Sequence, residues 1–228
     1  GSIYCLLGAN GAGKTTALNL LMSFIPPTSG EAWINGIDVV REPLAARQHV
    51  AYLSENVMLY SGMTAFQNLE FFSELCGRKM LGRDTAAALL EQVGLGTAAL
   101  DRKVRDLSKG MRQKLGLAIC MAKGCSAFIL DEPMSGLDPE ASQHMVEILD
   151  SLRSHDRAIL MSTHDVFRAR ELADRVGILK GGSMIRELDR SELASADLAA
   201  LYLDLMRGQP QQGADQGLTG CEPEAGTA

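Results

Sequence analysis

Positive charge is in short supply in this chain of 228 residues: 22 lysines and arginines stand against 28 acids, for a net charge of −6 and an isoelectric point near 5.3. A broad nucleic-acid or anionic-membrane surface needs clustered Lys and Arg, so neither is expected, although a local basic patch stays open. No nucleic-acid partner is therefore predicted. Metal-ligand spacing is also missing. The five cysteines, Cys5, Cys76, Cys120, Cys125 and Cys221, form no Cys-x-x-Cys pairs, and four lie in segments that read as regular structure. They are expected to be small buried thiols in a reducing compartment rather than a disulfide framework. His49, His144 and His155 are scattered without ligand spacing. The most apolar stretch, Leu115 to Ala122, is too short and interrupted to cross roughly 30 Å of hydrocarbon, and none of the residues before it reads as a signal peptide. Any membrane role must come through a partner. Solenoid repeats and heptads are absent as well.

What is present is a large apolar share, 46%, enough to bury a core in one domain or one domain with a subdomain. The run Ile3 to Leu7 ends in glycine and is followed at once by a helical pattern from Thr15 to Phe24, stopped by Pro26-Pro27. The chain opens at Gly1-Ser2 without an initiator methionine, which suggests further residues upstream. Glu31 to Ile34 and the turn Asn35-Gly36 predict a small antiparallel β part, and Val50 to Leu53 a further strand. From about Met58 to Arg112 the pattern turns helical, with apolar residues at three- and four-residue spacing in Ala65 to Cys76 and Thr85 to Val93. Beyond it, helices from about Met111, Pro139 and Val166 alternate with strands at Ala127 to Leu130, Ala158 to Ser162 and Val176 to Leu179, before a hairpin turn at Lys180 to Ser183. Such alternation predicts an α/β fold with a mostly parallel sheet covered by helices on both faces. The domain is expected to span residues 1–206, with a helical subdomain inserted at about 58–112. Residues 207–228, rich in Gly, Gln and Pro, cannot offset their own ordering entropy and read as a disordered tail.

The motifs carry the chemistry. Gly8, Ala9, Asn10, Gly11, Ala12, Gly13, Lys14 and Thr15 satisfy G-x-x-x-x-G-K-[ST] in the strand-to-helix context of a phosphate-binding loop. Its glycines let backbone N–H groups wrap phosphates at a helix N-terminus, with Lys14 placed for the β- and γ-phosphates, Thr15 for Mg²⁺, and Thr16 in the same helical turn. Cys125 to Leu130 is a short apolar run ending in Asp131-Glu132, so both acids emerge at the ligand edge of the sheet. Asp131 suits a Mg²⁺ shell, and Glu132 suits polarisation of an attacking water. No Asn-Lys-x-Asp guanine-reading motif occurs. The fold expected from these motifs is a P-loop NTPase.

Between loop and acids lies Leu107-Ser108-Lys109-Gly110-Met111, which resembles the signature sequence of ABC transporter ATP-binding subunits, usually Leu-Ser-Gly-Gly-Gln, with Lys109 and Met111 as departures of the kind export-type bacterial subunits tolerate. The ordered set, spanning about Gly1 to Leu205, resembles that family. The resemblance implies ATP and Mg²⁺ as ligands, γ-phosphate contacts from Ser108 and the Gly110 N–H, a D-loop at Ser135 to Asp138, a switch histidine at His164, and Glu55 in the place of a Mg²⁺-linked glutamine. It implies a head-to-tail dimer with a second ATP-binding subunit, hydrolysis through Glu132, and docking of a membrane-spanning subunit near Tyr60 to Phe72, at the cytoplasmic face of the membrane. The aromatic residue that stacks on adenine in the family, upstream of the loop, has no counterpart in the sequence. Two alternatives are a non-transport ABC ATPase, disfavoured by the short insert and acidic surface, and a non-hydrolysing regulatory module, disfavoured by Glu132 and His164.

Overall fold

The structure, a computed structural model, describes residues 1–78, 80–153 and 157–208. His155, Cys221 and nearly all of the expected tail lie outside the described residues. In chain order the elements are β1 (Ser2–Leu7), α1 (Lys14–Leu21), β2 (Trp33–Ile34), β3 (Ile37–Asp38), α2 (Pro43–Gln48), β4 (Val50–Leu53), α3 (Ala65–Leu75), α4 (Arg83–Gln92), α5 (Lys109–Ala122), β5 (Ala127–Asp131), α6 (Pro139–Arg153), β6 (Ala158–Thr163), α7 (Val166–Leu172), β7 (Arg175–Lys180), β8 (Ser183–Asp189), α8 (Arg190–Ser195) and α9 (Leu198–Arg207). Six strands form one sheet in the order β4-β5-β6-β1-β7-β8, with five parallel strands and β8 antiparallel at the edge, while β2 and β3 form a separate antiparallel pair.

The strands read as continuous apolar runs because both sheet faces are covered. Ile3, Cys5 and Leu7 of β1 pack on one face with Phe128, Leu130, Ile159, Met161, Val176 and Ile178. Leu6 and Ile129 face the other side, against Leu18 and Met22 near α1 and Val39, Ala46 and Val50 near the small β part. Strand alternation therefore decides which side chains reach each helical layer.

The inserted helices are held by α5, which packs against both α3 and α4 and buries Leu69, Leu90 and Leu115 completely. Thr64 starts α3 with a capping box: its hydroxyl accepts from the Gln67 N–H at 3.2 Å, and the Gln67 Oε1 accepts from the Thr64 N–H at 2.9 Å. Fully buried Asn68 accepts from the Tyr60 N–H at 2.9 Å and donates to the carbonyls of Tyr60 and Thr64, which ties the preceding loop to the helix.

Several boundaries differ from expectation. Helix α1 ends at Leu21 rather than Phe24, because Ser23 takes a left-handed conformation (φ 53°) and its hydroxyl bonds the Val39 carbonyl. Helix α5 begins two residues before Met111, where Ser108 caps it. The short helices α2, α8 and α9 were not foreseen, although α8 carries a legible capping box, Asp189 with Glu192. Cys76, expected inside, is exposed at the end of α3, whereas Cys5, Cys120 and Cys125 are buried. Burial pushes the Cys120 thiol up to about 12, so it is a packing group rather than a nucleophile.

Candidate active site

The loop after β1 has its shape because no side chain fits at its base. A Cβ on Gly8 would lie 2.8 Å from the Leu179 carbonyl oxygen and 2.9 Å from the Ala12 Cβ. Gly13, at φ 104°, turns the backbone directly into α1. The Gly8 N–H donates to the Thr163 carbonyl at 3.2 Å, which fastens the loop to the end of β6. The result is a cavity of about 200 Å³ lined by Ala9 to Thr16 together with Glu55 and Glu132. Backbone amides, a helix N-terminus and one lysine suit the polyphosphate of a nucleotide.

Lys14 is only 6% exposed, and its Nζ donates to the carbonyls of Gly8 at 2.6 Å and Ala9 at 3.2 Å. It also pairs with Glu132 Oε1 at 3.1 Å. Glu132 Oε2 accepts from His164 Nδ1 at 2.9 Å, which puts the Nδ1 proton toward the carboxylate. The acids sit side by side yet are aimed differently. Asp131 is the last residue of β5 and lies on the α1 side of the sheet, where it accepts from the Thr15 hydroxyl at 2.9 Å. Glu132 has a left-handed backbone (φ 47°) that turns its side chain toward Lys14 and His164. Thr15 and Asp131 offer hard oxygen donors in contact with each other, which fits a divalent cation of the Mg²⁺ type.

The structure therefore brings Gly8 through Thr16, Asp131, Glu132, His164 and Glu55 to one edge of the sheet. Glu55 lines the loop cavity and accepts from the Ser135 hydroxyl at 3.0 Å, joining the segment after β4 to the one after β5. Ser108 and Gly110 are elsewhere. They line a different cavity with Asp138 and His144, which shares no residue with that of the phosphate loop. Within this chain Ser108 caps α5, accepting from the Met111 N–H at 3.2 Å. Lys109 reaches over Gly136, so the position that departs from the signature covers the Ser135 to Asp138 turn. Ser162 carries no motif in the sequence, yet its hydroxyl bonds the Asp131 carboxylate and the Glu132 N–H. Its only sequence signal was a serine at the end of an apolar strand, which reads as an ordinary strand terminus.

A parallel sheet with this loop after β1 defines a P-loop nucleoside triphosphatase. A family model described as ABC transporter matches residues 1–135. The chain is 34% identical over 194 residues to the lantibiotic transport ATP-binding protein SrtF of Streptococcus pyogenes, covering 84% of this chain and 82% of that one. It is 33% identical to the daunorubicin/doxorubicin resistance ATP-binding protein DrrA of Streptomyces peucetius, covering 86% of this chain and 59% of DrrA. A dimeric ATP-binding cassette solved in a post-hydrolysis state with ADP and Pi superposes with a TM-score of 0.74 at 25% identity, covering 83% of this chain and 85% of that one. The chain belongs to the ABC transporter family, as its ATP-binding and ATP-hydrolysing domain. The parallel sheet, the small antiparallel β part and the helical insert match that assignment.

Proposed function

We propose that this domain powers an ABC exporter by hydrolysing ATP between two head-to-tail copies of an ATP-binding subunit. The observation that carries the reading is the division of labour on the surface: Lys14, Thr15 and Glu132 line one cavity, with Asp131 bonded to Thr15 behind it, while Ser108 and Gly110 line another. A second subunit would bring its Ser108 surface against the phosphate loop of the first. Export rests on likeness to SrtF and DrrA, whose names attach them to lantibiotic transport and to drug resistance. The short helical insert at about 58–112, between the phosphate loop and the Ser108 segment, disfavours a non-transport ABC ATPase.

Lys14 and the loop amides bind the β- and γ-phosphates and neutralise charge that develops on the transferred phosphoryl group. Thr15 and Asp131, with Glu55 at the cavity edge, would hold Mg²⁺, which when bound supplies positive charge against the same oxygens. Glu132 accepts the proton of the attacking water, and His164 holds the carboxylate through Oε2 so that it faces the γ-phosphate. A membrane-spanning subunit would dock by the helical insert, where Met58 is 82% and Tyr60 49% exposed. Among the described residues no helix is long and apolar enough to cross a membrane, so attachment to the inner membrane face would run through that partner.

Glu132→Gln keeps the side-chain shape and removes the base. Phosphate release should fall by roughly 10²–10⁴-fold while ATP stays bound, and an ATP-dependent dimer should persist on size-exclusion chromatography. Normal turnover in this variant would move the base to another residue.

A further inference from the structure

We infer that Ser162 is a positioning residue for ATP hydrolysis, one hydroxyl that sets both acids of the site. It is fully buried on β6, the strand that lies between β5 and β1, and it stands in register with Asp131 on one side and Leu6 on the other. Alternation along β6 sends Ile159 and Met161 into the core on one face and Ser162 to the other, the face that carries α1, Thr15 and Asp131. Its Oγ donates its single proton to Asp131 Oδ1 at 2.5 Å and accepts from the Glu132 N–H at 2.9 Å. Both capacities of the hydroxyl are thus used on consecutive acids.

Each bond has its own consequence. The first fixes the carboxylate of Asp131, whose other oxygen receives the Thr15 hydroxyl, so the pair is presented in one orientation to a divalent cation. The second acts on backbone. Glu132 sits at φ 47°, a conformation that a non-glycine residue keeps only when its surroundings hold it. Its N–H is buried, and Ser162 is the acceptor that fixes it there. Remove the hydroxyl and the turn that aims Glu132 at Lys14 and His164 loses its anchor. Asp131 loses a donor in the same step. The inference rests on the proposed roles of Asp131 and Glu132.

The test compares Ser162→Ala, which deletes the hydroxyl, with Ser162→Cys, which keeps the volume but offers only a weak donor and acceptor. Steady-state phosphate release should show kcat reduced by about 10–100-fold in both, with KM for ATP changed by less than about threefold, since neighbours that orient ligands typically act on this scale. Binding of a fluorescent ATP analogue, titrated with Mg²⁺ in the absence of turnover, should need at least about threefold more metal for half-saturation. A role in packing alone predicts that the Cys variant behaves as wild type in both measurements, and that outcome overturns the inference. Lost turnover with an unchanged Mg²⁺ requirement overturns it too. Should Ser162→Ala fail to fold, the Cys variant carries the comparison. Glu132→Gln assayed alongside separates the two claims: if it turns over normally the base assignment fails, whereas the Mg²⁺ shift of the Ser162 variants still reports on Asp131.

Discussion

On the proposed reading Lys14 has two sets of partners available to it, those of the protein and those of the substrate. In the structure its ammonium is surrounded by two loop carbonyls and Glu132 Oε1, and that carboxylate oxygen accepts no other hydrogen bond among the described residues. A nucleotide must offer better oxygens in the same place, and the charge of a polyphosphate does so. Lys14→Ala removes a charge-assisted contact worth about 1.5–3 kcal/mol, so affinity for a fluorescent ATP analogue should fall by about tenfold to hundredfold. The variant also strands a buried carboxylate oxygen, and thermal unfolding should begin earlier than in wild type. Unchanged affinity in the folded variant would remove Lys14 from the phosphate site. His164 illustrates the opposite balance, since its side chain is half exposed and its ring bonds Glu132. On the proposed reading it steers Glu132 without having to be buried itself.

Elements are placed around the site by polar ties far from it. Asp174, in the link from α7 to β7, accepts from the Ile3 N–H at 2.9 Å and pairs with Arg153 at the end of α6 and with Arg190 at the start of α8. The Asp174 N–H in turn donates to the Ile3 carbonyl at 2.9 Å. One residue thus ties the start of the phosphate-loop strand to two helices. Partial burial pushes the Asp174 carboxyl up, but the Ile3 N–H and the two arginines outweigh it and hold it below the ordinary carboxylate range. A depressed folded value contributes stability above the unfolded value, near 3.9, and that contribution is lost as pH falls through the folded value. Asp174→Asn should therefore melt below wild type at pH 7, and the gap should close as pH drops below about 4. Melting curves from pH 3 to 8 decide it, and a gap independent of pH would mean that the charge is not what matters.

Across the whole molecule, the separation of Ser108 from Lys14 makes a statement about assembly. If the sites are shared between protomers, Lys14→Ala and Ser108→Arg are complementary defects. In a mixed dimer both lesions fall in one site, and the other combines an intact Lys14 with an intact Ser108. Equal mixing of two inactive parents should then restore about a quarter of the wild-type site density, measured as phosphate release from the co-refolded sample. Demonstrated mixed dimers without rescue would leave a site within one chain or obligatory coupling of the two sites. A tethered dimer carrying both lesions on one protomer separates these: a within-chain site leaves the unaltered protomer active, whereas composite sites are both broken and leave it inactive.

Order and period along the chain were enough to establish a good deal. The glycines and Lys14 announce a phosphate loop because that backbone path tolerates few other residues, and a strand followed at once by a helix gives it context. Apolar runs of strand length between helical periods imply buried parallel strands, and the strands β4 to β7 stand where those runs predicted them. Asp131 and Glu132 were legible for the same reason, since acids at the end of a buried run must emerge at the ligand edge. What the linear pattern could not carry is anything that depends on which strands are neighbours. The order β4-β5-β6-β1 places β6 between the loop and the acids, and only that adjacency makes a serine at its end a partner of both. The left-handed turn at Glu132, the reach of Lys109 over Gly136 and the exposure of Cys76 are of the same kind. Local periodicity reports which face of an element is apolar, whereas the partners of a polar side chain are set by contacts between residues far apart in the chain, and those exist only once the sheet has assembled.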